Sequence, residues 1–212
     1  MKHNLFIITL VLFALTSCGS NADATQQEEQ TQQPQTQTET RRESLEGTRV
    51  SFELPITYER SRAYLLEDAI EGYKAEFHAI FDDLLLRLER EDEEADIFVD
   101  GEDNFDHFQV RIVSKLDLSE DRATLYAANL EQVVQERAEK TRGLESERLS
   151  TTLNEGNGKT MLKLKYRHES NRAPKEFFES IYFISDAVQS FVITEYHRDE
   201  ADLERMYWRM TY

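Results

Sequence analysis

Phe177-Phe178-Glu179-Ser180-Ile181-Tyr182-Phe183-Ile184 decides the fold. Read as an extended strand, it alternates faces at every residue. Phe177, Ile181 and Phe183 then lie on one side, and Phe178, Tyr182 and Ile184 on the other. A strand apolar on both faces must be covered on both faces. Val188 to Tyr196 has the same mixed character, with Val188 and Val192 opposed to Phe191 and Ile193. Ser185-Asp186 offers a hairpin turn between the two. Neighbouring strands joined by short turns are antiparallel. The expected fold class is therefore α+β: a mostly antiparallel sheet with helices on both faces, a three-layer α/β/α sandwich.

Upstream of this pair, Leu162, Leu164 and Tyr166 alternate with Lys163, Lys165 and Arg167, a strand with one apolar and one cationic face. Asn154-Glu155-Gly156-Asn157-Gly158 is a turn signal, and the polar residues 144–153 before it predict an edge strand. Ser119 can cap a long helix, with Glu120 and Asp121 at the positive end of its dipole. Leu130, Val133, Val134 and Arg137 continue the face of that helix, and Gly143 can stop it. Val50, Phe52 and Leu54 predict a strand ended by Pro55. Ile97 to Val99 and Phe108, Val110 and Ile112 predict two more, joined by the turn Asp100 to Asn104. Between them, Leu66, Ile70, Tyr73, Phe77, Ile80, Leu84 and Leu88 recur at helical spacing over 61–91. At ~1.5 Å per residue a straight helix of that length would span ~46 Å. A break near Gly72 is expected, because a domain of this size has a radius of gyration of only ~15 Å. A helix from about Asp199, burying Leu203, Met206, Tyr207 and Met210, closes the chain.

The N-terminal end carries an address. Lys2 precedes the apolar run Leu5 to Thr16, which is too short to span a bilayer, where ~20 residues are needed. Leu15-Thr16-Ser17-Cys18 ends it, and Cys18 is the only cysteine. These four residues resemble the lipobox of bacterial lipoproteins. The resemblance implies cleavage before Cys18 and acylation of that residue; Gly19 after it points to the outer rather than the inner membrane. Two or three acyl chains would anchor firmly where one holds only marginally. Residues 19–44 have no apolar side chain larger than alanine and are expected to form a disordered Gln/Thr/Glu linker. The expected organisation is thus a signal over 1–17, lipidated Cys18 with its linker over 18–44, and one domain over 45–212.

The chain has 25 Lys and Arg against 42 Asp and Glu, a formal charge of −17. Loss of Lys2 with the signal takes the balance to −18. Such a surface repels phosphate backbones, so no nucleic-acid partner is expected. With Cys18 taken by lipid, neither a disulfide nor a Cys-based zinc site remains.

The element order, from the opening Phe52-Glu53-Leu54-Pro55 through paired short strands, a middle helix, a long sheet and a C-terminal helix, resembles the PsbP-like fold over roughly residues 48–212. Tyr58 stands where a tryptophan often follows the proline, and the helical run 61–91 is an insert. The resemblance implies an accessory or assembly role without catalysis. It assigns no functional residue.

Catalytic grammar is sparse. There is no HExxH and no GxSxG. Gly156 and Gly158 sit between strands rather than before a helix, so they do not cradle a phosphate. His78, His107, His168 and His197 are isolated, and His168-Glu169-Ser170, though of triad types, point apart on a strand. The run Asp100 to Asp106 offers oxygen ligands but lacks the glycine and terminal glutamate of a calcium loop, so it reads as a solvated turn. No catalytic residue, metal or cofactor is assigned. Lys163, Lys165 and Arg167, extended by Lys159, form the one cationic stripe. It can be a docking strip for an acidic partner, or it can pair across strands with acids such as Glu145, Glu147 or Glu179. Trp208 and Tyr212 are either exposed anchors or, for Trp208, a partial cap on the core. Three functions stay open: a protein-binding or assembly-accessory lipoprotein, a small-ligand carrier or sensor with a pocket under 61–91, and a carboxylate-dependent hydrolase.

Overall fold

Strand β8 (Glu176–Asp186) runs through the middle of the protein, and both its faces are covered. Phe177 and Ile181 are buried on one side and Tyr182 and Ile184 on the other, with Phe178 and Phe183 half-buried. The computed structural model describes residues 39–61, 95–103, 105–171, 174–200 and 202–211. Within them the other elements are β1 (Thr40–Ser44), β2 (Ser51–Pro55), β3 (Tyr58–Ser61), β4 (Ala95–Asp100), β5 (His107–Val113), α1 (Glu120–Lys140), β6 (Leu144–Gly156), β7 (Lys159–Ser170), β9 (Ser190–His197) and α2 (Glu204–Trp208). Seven strands form one sheet in the order β3-β4-β5-β9-β8-β7-β6, antiparallel at every step. β1 and β2 form a separate two-stranded sheet.

Two cores follow from the two faces. On one, α1 lays Ala123, Ala127 and Val134 over Leu162, Leu164, Tyr166 and Ile181. On the other, Phe52 and Leu54 of β2 and Met206 and Tyr207 of α2 pack on Phe98, Phe108, Tyr182, Ile184, Phe191 and Ile193. The rings of Phe98 and Phe108 stack at 4.9 Å, and Phe52 meets Phe98 edge-on at 5.5 Å. Each such side chain, fully buried, contributes ~1.5–3 kcal/mol of transfer free energy. Helices thus lie on both faces, the second helix sharing its layer with the small sheet.

Several elements differ from the sequence expectation. β1 lies wholly ahead of the expected domain start at residue 45, in what read as linker. Composition missed it because β1 is held by a ladder and by arginine bonds rather than by apolar burial. Thr40 to Ser44 pair with Pro55 to Ser51, Arg41 donates to the Tyr58 carbonyl at 2.7 Å, and Arg42 donates to Ser51 Oγ at 2.8 Å. β3 was not expected, and Ser61, the expected first residue of a helix, ends it. The rest of the helical run 61–91, with Gly72 and His78, lies outside the described residues, as do the signal, Cys18, most of the linker and Tyr212. Val133 is 58% exposed, because the face that α1 turns to the sheet runs through Ala123, Ala127, Val134 and Ala138 and passes beside it. Val188 is 75% exposed in the turn after Asp186, whose carboxylate accepts the N–H groups of Val188 and Gln189. α2 is short, Glu204–Trp208, yet Met206, Tyr207 and Met210 are buried as expected.

α1 and the β6–β7 hairpin form where expected. Ser119 holds the N-cap position of α1, though the Asp117 carboxylate, accepting the Ser119 N–H at 2.9 Å, shapes the turn. β6 ends at Gly156, β7 begins at its partner Lys159, and Asn157 and Gly158 take φ of 51° and 74° between them. This is the two-residue left-handed loop that suits strand twist. Gly158→Val, which forces a β-branched residue into that conformation, is expected to lower the unfolding free energy by about 1–2 kcal/mol in urea titration. Asn157→Gly should leave it nearly unchanged.

Candidate functional site

The cationic stripe is largely covered. Lys163 and Lys165 are 8% and 7% exposed, and Lys159 is 7% exposed. Sheet pairing puts all three on the face that carries the C-terminal segment, and that segment takes their charges. Lys163 Nζ donates to Asp202 Oδ2 at 2.6 Å and to Glu204 Oε2 at 2.8 Å. Lys165 Nζ donates to the Glu200 carbonyl at 2.5 Å, and Lys159 Nζ to the carbonyls of Met210 at 2.8 Å and Trp208 at 3.2 Å. Burial works against the charge on Lys163, but the bonds to Asp202 and Glu204 outweigh it and raise the ammonium pKa above its ordinary value. Arg167 reaches across the ladder to Glu147 at 2.6 Å, the partner expected for it. The lysines of the stripe therefore clamp the C-terminal segment onto β7, and Lys163, Lys165 and Arg167 all lie against this chain's own acids. Trp208, half-buried, joins the clamp by donating from Nε1 to Glu204 Oε1 at 3.1 Å.

Beneath α1 the sheet carries a polar network that no motif announced. Glu179, 1% exposed, receives Arg137 of α1 on both carboxylate oxygens. Tyr196 donates to Glu179 Oε1 at 2.7 Å, His168 Nε2 lies 3.0 Å from Oε2, and Ser146 Oγ lies 2.8 Å from His168 Nδ1. Burial alone would push the Glu179 carboxyl up. The Arg137 charge and the His168 bond outweigh it and hold the group well below the usual carboxylate range. Ionised Glu179 accepts from His168 Nε2, and the other ring nitrogen of His168 is hydrogen-bonded to Ser146 Oγ. The atoms follow the order of a Ser-His-Glu relay. Nevertheless His168 is 0% exposed, stacked on Phe177 at 4.7 Å, and the carboxylate is already neutralised by arginine. The arrangement pins α1 to the sheet. His168 thus works with Glu179 and Ser146 across strands, not with its sequence neighbours Glu169 and Ser170. One signal did exist: Glu179 interrupts a strand covered on both faces, and a buried carboxylate needs a cation.

A second buried carboxylate, Glu195, sits on the opposite face. Adjacent strands pair Glu179 with Tyr196 and Ser180 with Glu195, so the two acids diverge. Glu195 Oε2 accepts from Tyr182 OH at 3.3 Å, and Oε1 accepts the Leu203 N–H at 3.2 Å. His197 lies between two carboxylates: Nδ1 is hydrogen-bonded to Asp106 Oδ2 at 3.4 Å, and Nε2 is 3.3 Å from Glu195 Oε2 as an ion pair. Burial pulls the His197 pKa down, but the two carboxylates outweigh it and raise it to about 9. His107, wholly buried, is pulled down to about 4 by that burial.

The acidic turn spends its oxygens locally. Asp100 Oδ1 accepts the Glu102 N–H at 2.8 Å, Asp103 Oδ1 the Phe105 N–H at 3.0 Å, and Asp106 Oδ1 the Arg198 N–H at 2.9 Å. Among the described residues no group of three or more His, Asp or Glu is placed to hold a metal ion.

Among the described residues an edge of the sheet stays open. β6 ends the seven-stranded order and pairs with β7 alone. Glu147 to Gly156 are exposed without interruption. Leu149 and Leu153 are 40% and 37% exposed, and the register slips between Arg148 and Ser150, leaving Leu149 as a bulge.

No family model matches the chain, and no curated protein matches it. Among solved structures it is similar to the solution structure of a cyanobacterial PsbP from Synechocystis, with a TM-score of 0.48 and 12% identity over 77% of this chain and 82% of that one. A likeness of this degree carries no functional argument.

Arg137→Met removes the charge but keeps the length, leaving Glu179 buried and unpaired. The expected cost is about 3–5 kcal/mol in urea unfolding, and Arg137→Met combined with Glu179→Leu should recover most of it. The two histidines set a pH profile. His197, raised from 6.5 to about 9, contributes stability that is complete below pH 6.5 and lost as pH rises through 9. His107, lowered from 6.5 to about 4, contributes stability that is complete above pH 6.5 and lost as pH falls through 4. Stability should therefore peak near pH 6.5 in thermal melts, and His197→Gln should flatten the alkaline limb.

Proposed function

We propose that this is an envelope-anchored lipoprotein whose domain binds a protein partner and performs no catalysis itself. The observation that carries this reading is the open β6 edge. Ten consecutive exposed strand residues leave main-chain donors and acceptors of one edge unmatched within the described residues, and such an edge is a template for another chain. The buried ionisable groups supply no rival. Glu179 and Glu195 diverge to opposite faces, and Glu179 is held ionised by Arg137, which is the reverse of a paired acid and base sharing a cleft. A carrier pocket under 61–91 would involve residues outside those described.

The anchor in this reading is acyl chains on Cys18, in the outer membrane and facing the periplasm or the cell surface. The charge of −17 supports a protein partner over nucleic acid or anionic lipid.

Cys18→Ser is expected to move the protein from the detergent-extracted membrane fraction to the soluble fraction. Affinity capture of the wild-type protein from detergent-solubilised envelopes should recover one stoichiometric protein. A co-purifying small molecule without any protein would instead support the carrier reading.

A further inference from the structure

We propose that β6 takes up an extended segment of another protein as an eighth strand, and that this segment has an uncharged, β-branched centre flanked by lysine or arginine. The inference rests on the partner-binding reading above and specifies its surface.

The edge is divided into zones. Leu149-Ser150-Thr151-Thr152-Leu153-Asn154 are six exposed residues without a charge, in a chain where 32% of residues are charged. Sheet proteins normally blunt exposed edges with charged side chains, proline or a bulge. Here the bulge falls at Leu149, at one end of the uncharged zone, and leaves Ser150 to Gly156 in unbroken register with β7. At ~3.3 Å per residue that straight run is ~23 Å long, enough for a strand of ordinary length. Thr151 and Leu153 share the sheet face of their partners Leu164 and Leu162. An added strand would bring β-branched side chains against them, the pairing that stabilises sheets.

Acids stand beyond both ends of the zone. Glu155 is at one end. At the other Arg148 comes first, and Glu131 pairs with it at 3.2 Å. Beyond it, Glu145, Glu147 and Glu169 line a cleft of about 140 Å³ with Ser146 and Arg167. Arg167 pairs with Glu147 at 2.6 Å and lies 3.6 Å from Glu169, so the cleft keeps a surplus of negative charge. A cationic side chain beyond the end of the added strand would enter it. The charge of the whole chain acts in the same direction. A second copy, carrying the same −17, would be repelled at the edge where a basic segment is attracted.

The test uses the mature lipidated chain in detergent and two fluorescent peptides, Lys-Lys-Val-Thr-Val-Thr-Val-Thr-Lys-Lys and its counterpart with glutamate in place of lysine. Fluorescence anisotropy should show the basic peptide binding at least tenfold more tightly, with affinity falling as salt rises. Hydrogen exchange should slow at Ser150 to Gly156 on binding. Thr151→Lys and Leu153→Lys, both on exposed positions that leave the ladder to β7 intact, should each weaken it tenfold or more. Equal binding of the two peptides, binding of neither, protection elsewhere, or indifference to both substitutions would overturn the proposal. So would sedimentation showing a dimer that Leu153→Lys dissociates, since the edge would then belong to a second copy. The two readings fail separately. An envelope partner still captured in full by the Leu153→Lys protein removes this surface but keeps partner binding, whereas no captured partner removes both.

Discussion

The contact between Arg137 and Glu179 is the constraint on which one half of the structure depends. Glu179 belongs to an interior strand, β8, with a neighbour on either side, and is 1% exposed. An ionised carboxylate there is tolerable only with a cation brought to it, and α1 is the element that brings one. The pair fixes where α1 lies along the sheet, and Tyr196, His168 and Ser146 then complete the hydrogen bonds of the two side chains. Once α1 is placed, the alanine face meets Leu162, Leu164 and Tyr166 at close range.

The opposite face solves the same problem with the signs reversed. There the buried cations belong to the sheet, Lys159, Lys163 and Lys165, and the compensating groups are supplied by the C-terminal segment. Tyr207 and Met206 anchor that segment in the aromatic core, and Asp202 and Glu204 answer Lys163. Each face of the sheet is therefore closed by an element that carries both an apolar stripe and the counter-charge for a buried group. An acidic protein can afford few free cations, and this one places several of them where they hold the fold together.

That allocation shapes the functional reading. Glu179 and Lys163 are enclosed and matched by opposite charges within the fold, so they contribute to its stability. An open sheet edge among the described residues lies at β6, where residues 149–154 are exposed and uncharged.

Much of this was readable in the residues alone. Two-sided apolarity in Phe177 to Ile184 requires layers above and below, because alternation is a property of any extended chain. Ser119, Gly143 and Asn157-Gly158 mark local ends and turns, because their preferences are set within a few bonds. β1 and β3 escaped notice, since polar strands are selected by their partners and leave no apolar period. The relay from Ser146 through His168 and Glu179 to Arg137, and the capture of the lysine stripe by residues 200–210, also escaped. These contacts join positions 11 to 51 residues apart, and no local pattern encodes which distant charge will arrive. Composition and alternation thus determined the class of fold. Only the folded sheet decided which charges are buried together and which edge is left bare, because strand order and register are set by the packing of the whole chain.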